Sequence, residues 1–185
     1  VQVAYATHAA FAAQLDELLL RHNPDTPLHK LAEGVLKAQP LIDQDTLQRW
    51  QVQLRNFPEP LREAMLRHAL KTPTHWRAAA QIIHRDTELW CRDLQVDACY
   101  RLLQMLCALN RRYFTRFQVK RLHKLAGQLR IAPPQLAERM EALLNAEPRA
   151  AFDALHALEA EVLALSEQHL PLPEVRAARE RLALY

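Results

Sequence analysis

The sequence predicts an all-α protein, a helical bundle of about seven or eight helices. Three observations carry that expectation. Half of the 185 residues are hydrophobic and recur at helical spacing, only two are Gly and one is Ser, and the breaks between periodic stretches fall at proline. A chain of this length buries a core without disulfide or metal staples.

Ala9 to Arg21 places Phe11, Leu15, Leu18 and Leu19 on one face and stops at Asn23-Pro24-Asp25. Thr26-Pro27 opens a second helix, with Leu28, Leu31, Val35 and Leu36 as its apolar face up to Pro40. Capping by Asp43 or Asp45 starts a third, which carries Leu47, Trp50, Val52 and Leu54 to Asn56. A fourth runs from about Pro60 to Lys71, and after Thr72-Pro73-Thr74 another begins near His75 and Trp76. Trp76 to Phe114 holds neither Pro nor Gly, so a break is expected near Arg85-Asp86-Thr87. The following helix is apolar nearly all round from Ala98 to Leu109 and reads as the bundle's central rod. Phe117 to Arg130 reads as helical. Helices then start at Pro133-Pro134 and at Pro148, and a terminal one follows Pro171-Leu172-Pro173. The whole forms a single helical domain over 1–185, with 1–56 as a semi-independent N-terminal portion.

Several chemistries are excluded by residue type. A nucleophile elbow needs Ser between glycines and a P-loop needs a Gly-rich turn before Lys-Ser/Thr, and neither exists here. The nine histidines never take the spacing of two ligands on one helical face. Cys91, Cys99 and Cys107 recur every eight residues, as buried structural thiols on a slowly rotating face would, and their odd number suits a reducing, cytoplasmic setting. No apolar run is long enough to span a membrane and no secretion signal opens the chain. Asp43-Gln44-Asp45 has the form of a two-metal carboxylate pair, but it precedes a helical run without strand character, so capping explains it. Arg62…His68, Arg77…His84, Arg116…His123 and Arg149…His156 have the spacing of some helical ribonuclease sites. Four matches in one chain show how little that spacing specifies.

The net charge of +3 conceals a segregation. No acidic residue lies between Asp97 and Glu138, an interval holding Arg101, Arg111, Arg112, Arg116, Lys120, Arg121, Lys124 and Arg130. Such a block draws phosphate, nucleotide or an acidic surface toward itself. On a helical wheel at about 100° per residue, Arg116, Lys120, His123 and Arg130 share a sector opposite Val119, Leu122, Leu125 and Leu129. Tyr113, Phe114 and Phe117 interleave the cations, as base-stacking aromatics do, although their spacing also suits core packing. The plainer reading is a face that is solvated or balanced by Glu138, Glu141 and the acidic C-terminal part.

Ala108-Leu109-Asn110-Arg111-Arg112-Tyr113-Phe114, then Phe117 and Lys120, then Ile131-Ala132-Pro133-Pro134-Gln135-Leu136, resembles the helical domain of unknown function that follows the catalytic core in a group of prokaryotic nucleotidyltransferase-like proteins. There the pattern is Ala-Leu-Asn-x-x-Tyr/Trp, Pro-Gly-Phe-Lys, a helix and Pro-x-x-Leu. Leu41-Ile42-Asp43 and Phe57-Pro58 follow the same order, and Thr115-Arg116 departs from the Pro-Gly. The resemblance spans about residues 31–145. It implies a non-catalytic module, the C-terminal part of a longer protein, that packs on a nucleotidyltransferase core in the same polypeptide and helps to bind substrate or nucleotide phosphates. Asn110, Arg112, Tyr113 and Lys120 match the motif, and Arg116 joins them as a candidate phosphate- or substrate-binding residue. No cofactor is expected in this chain, whereas Mg and a nucleoside triphosphate would belong to the core. The alternative is a stand-alone interaction module whose basic helix binds RNA or an acidic protein.

Overall fold

The computed structural model describes residues 7–24, 26–70 and 88–184. Among them are nine α-helices and no strand: α1 (His8–Leu19), α2 (Thr26–Lys37), α3 (Gln44–Arg55), α4 (Glu59–Leu70), α5 (Glu88–Leu109), α6 (Leu122–Ala126), α7 (Leu136–Asn145), α8 (Pro148–His169) and α9 (Pro173–Leu182). A 3-10 helix, Arg116–Arg121, leads directly into α6. The helix expected near His75 and Trp76 and the break near Arg85 lie outside the described residues. Prolines act as helix openers at α8 and α9, where an N–H without an intrahelical partner is not missed. Asp43 caps α3 by accepting the Thr46 N–H at 3.2 Å, so the first carboxylate of the Asp-x-Asp is used for capping.

Helix α5 is the central rod, packed against α4 and α8, with α7 and α9 completing the shell. Every residue from Leu102 to Leu109 is buried, which explains an apolar sequence with no polar side. Such a helix has neighbours in all directions. Cys91 and Cys107 are buried, and burial pushes the Cys107 thiol up to about 12. The helix ends are closed by arginines. Arg62 is 7% exposed and donates to the carbonyls of Ala108 (3.2 Å) and His169 (2.9 Å), satisfying the C-terminal ends of α5 and α8 while pairing with Glu59. Arg92 does the same for α7 through the carbonyls of Leu143 and Ala146.

Helices α1 to α3 pack on one another, with Phe11 and Trp50 in ring contact at 4.3 Å. Gln51 of α3 donates to the carbonyls of Val35 and Ala38 at the end of α2. This N-terminal portion is tied to the bundle by the segment that leaves α5. The Tyr113 hydroxyl donates to the Leu54 carbonyl at 2.9 Å, and the Phe114 N–H donates to Nδ1 of His29 at 3.0 Å.

Candidate nucleic-acid interface

The basic segment begins where α5 stops. Arg111 takes a left-handed conformation (φ 51°), the Arg112 N–H reaches back to the Cys107 carbonyl at 2.9 Å and the Arg111 N–H to that of Ala108 at 3.1 Å. This is the Schellman arrangement, with arginine at the position that glycine fills at no steric cost. Asn110 locks the turn. Its Nδ2 donates to the carbonyls of Leu106 (2.7 Å) and Ile131 (2.8 Å), and its Oδ1 accepts the N–H groups of Arg130 (2.7 Å) and Ile131 (3.0 Å). Two donors and two acceptors are all that an amide has, so Asn110 holds the 130–131 loop against α5 and has no polar atom left for a ligand.

Tyr113 and Phe114 are each 2% exposed. Burial raises the Tyr113 hydroxyl well above the usual phenol range, and the residue serves packing. His29 is buried beneath this strap, and burial, with His68 adding to it, lowers its pKa to about 4. It is therefore neutral, with Nδ1 accepting and the proton on Nε2.

Thr115 and Gln118 form a capping box: the Thr115 hydroxyl accepts from the Phe117 N–H, and the Gln118 amide accepts from the Thr115 N–H while donating to the Tyr113 carbonyl. The box starts a 3-10 helix where the expectation was a continuous α-helix from Phe117 to Arg130, and α6 ends at Ala126. The cationic sector drawn on an α-helical wheel is thereby corrected: with three residues per turn in the first part and Arg130 in a loop, Arg116, Lys120, His123 and Arg130 do not share one α-helical face.

Three of the eight cations in the block are clasped by acids. Arg111 pairs with Glu59, Arg101 and Arg116 with Asp97, and Arg116 also covers the Tyr100 ring at 4.6 Å. His123 contacts Glu141 (3.1 Å) and Glu138 (3.4 Å), whose hydrogen bonds and charge raise its pKa. Arg112 donates to Gln128 at 2.7 Å. Lys30, Lys120, Arg121, Lys124 and Arg130 are exposed and make no ion pair among the described residues.

Two of these exposed cations, Lys30 and Lys120, adjoin Phe117, which is 58% exposed in a chain that buries Tyr113 and Phe114. The ammonium groups of Lys30, from α2, and Lys120 lie 4.4 and 5.6 Å from its ring centroid. An exposed aromatic with two ammonium groups over its ring brings a π-surface and two phosphate-seeking charges together. Lys30 is the residue that sequence reading does not find. Nothing in α2 marks it, because the fold alone brings it to Phe117.

Among the described residues no group of His, Cys, Asp and Glu could hold a metal ion, and no helix is long and apolar enough to cross a membrane. Three of the four Arg…His spacings can be placed. Arg62 is buried in its capping role while His68 is exposed, Arg116 and His123 each face acids, and Arg149 is exposed with His156 half-buried. Arg77 and His84 lie outside the described residues. No family model matches the chain, and no curated protein or solved structure matches it.

Proposed function

We propose that this chain is a non-catalytic helical module that binds single-stranded nucleic acid at the Phe117 surface. One observation carries the reading: Phe117 is exposed and flanked by Lys30 and Lys120, with Arg121 and Lys124 following along the same short segment. A base stacks on the ring while the lysines, which are flexible point charges, move to the adjoining phosphates. Arg112 and Arg116 play a lesser part, because Gln128 and Asp97 already hold them. Stacking of this kind contributes about 1–3 kcal/mol per base. Phe117→Ala is therefore expected to weaken binding of a fluorescein-labelled decauridylate by roughly 5- to 150-fold in anisotropy titrations at low salt, and Lys30→Ala/Lys120→Ala to flatten the salt dependence. Equal affinity of wild type and Phe117→Ala would remove the reading.

A second reading has its own observation. Leu41 and Ile42 are 99% and 90% exposed at the tip between α2 and α3, just before the left-handed Asp43 that caps α3. Adjoining exposed apolar side chains form the kind of patch that marks an interaction site, which suits a helical companion docked on a nucleotidyltransferase core of the same polypeptide. That core would hold Mg and a nucleoside triphosphate, and the basic surface would face the substrate phosphates. Co-expression with the sequence encoded upstream tests it: a core that captures the wild-type chain but not Leu41→Ser/Ile42→Ser supports this reading.

A further inference from the structure

A groove of about 450 Å³ runs between α1 and α2, lined by Phe11, Pro27, Leu28, Leu31, Gly34 and Val35, with Lys30 on its wall. Lys30 therefore belongs to two features at once: it lines the groove and its ammonium sits 4.4 Å from the Phe117 ring. One lysine side chain thus links an exposed aromatic to an apolar trough. Among the described residues the lining carries no polar side chain apart from Lys30 and Gln14, so the trough favours a flat, weakly solvated surface, and its single charge is the Lys30 ammonium that reaches the Phe117 ring.

Resting on the reading above, we propose that the groove is a second base subsite, which takes the nucleobase next to the one stacked on Phe117 in the same single strand, with Lys30 on the phosphate between them. Successive bases of a stacked strand lie about 3.4 Å apart and separate further when splayed, so both fall within reach of one lysine. The occupant is fixed by continuity with the Phe117 surface and by charge, because a strand must carry an anion wherever it passes between adjoining bases. Recognition here is by stacking and apolar contact, so it tolerates any base and reads strandedness, not sequence.

Gly34 supplies the test. A Cβ built there meets nothing within 4 Å, and the residue is exposed within a helix, so a larger side chain enters the groove without strain and removes a helix-weakening glycine. Gly34→Leu is expected to melt at or above the wild-type temperature. Two labelled decamers serve as probes, one with ten bases and one with alternate abasic positions, each prepared as deoxythymidylate and, for the full strand, also as uridylate to separate DNA from RNA. Wild type should prefer the full strand to the alternating one by 5- to 20-fold, beyond the roughly two-fold loss expected from halving the bases that Phe117 can use. Gly34→Leu should retain only the two-fold difference. A two-fold preference in wild type, a measurement that needs no variant, overturns the second subsite, as does a full preference persisting in Gly34→Leu. If Phe117→Ala still weakens binding in either case, the single stacking site stands without the groove. Wild type that binds neither strand overturns both.

Discussion

Removal of the Asn110 side chain separates a clamp from a ligand contact. Its amide makes four hydrogen bonds at 2.7–3.0 Å, three of them to the loop at 130–131 and one to the Leu106 carbonyl in α5. The Leu106 carbonyl keeps the Asn110 N–H as a partner in any variant, and the Arg130 N–H is open to water. The N–H and carbonyl of half-buried Ile131 do not escape so easily. At about 0.5–1.5 kcal/mol net for each hydrogen bond, and more for a group left stranded, Asn110→Ala should cost about 2–4 kcal/mol. For a chain of this size that is a fall of roughly 4–16 °C in Tm. Asn110→Asp should be no better: it keeps the acceptor for the two N–H groups but sets a carboxylate oxygen against two carbonyls. Urea denaturation followed by circular dichroism reads both. A loss below about 1 kcal/mol together with weakened oligonucleotide binding would refute the clamp and return Asn110 to the ligand.

Two buried titrations oppose each other. The pKa of His29 is lowered to about 4 from 6.5, so the unfolded chain takes the proton first, and the stability His29 allows above pH 6.5 is lost as pH falls toward 4. Burial raises Glu159 to about 7 from 4.5, so its contribution is complete below 4.5 and is lost as pH rises toward 7. Each is worth on the order of 3 kcal/mol. Between pH 7 and 5, Glu159→Gln should therefore lose stability on acidification, His29→Asn should gain it, and wild type should change least; parallel profiles for the three proteins would contradict the assignment. At the left-handed Arg111 the usual preference inverts. Arg111→Gly should be more stable than Arg111→Ala by about 1 kcal/mol, since both lose the Glu59 pair and only glycine relieves the turn. Equal stability would place the strain elsewhere. Cys107, buried and shifted to about 12, and Cys99, likewise raised to about 12 by burial, should resist iodoacetamide at pH 8 until urea unfolds the chain; rapid native alkylation would contradict the packing around α5.

The helical architecture was legible because prolines mark most of the boundaries and periodic apolar residues fill the intervals. The central rod was legible too, since only a helix surrounded by others tolerates the run from Leu102 to Leu109. The 117–130 segment was not. A capping box formed by Thr115 and Gln118 set a tighter helix, and α-helical periodicity carries no sign of that choice. The motif residues show a different limit. Asn110 and Tyr113 stand out in the sequence as polar groups after an apolar run, yet their partners lie 21 and 59 residues away in the chain. The same lack of tertiary information hid Lys30, whose role exists only because α2 lies beside Phe117. Charge segregation was visible from composition. Which cations remain available depended on Glu59, Asp97, Glu138 and Glu141, placed by folding.

Stacking on Phe117 is most directly tested with Phe117→Trp, which places an indole on the exposed site and keeps a stacking surface there. Its emission, taken as the difference from the wild-type protein, should be quenched when decathymidylate is added and left unchanged by base-free polyphosphate at equal ionic strength. Equal responses to the two polymers, or none to either, would contradict a site built for bases.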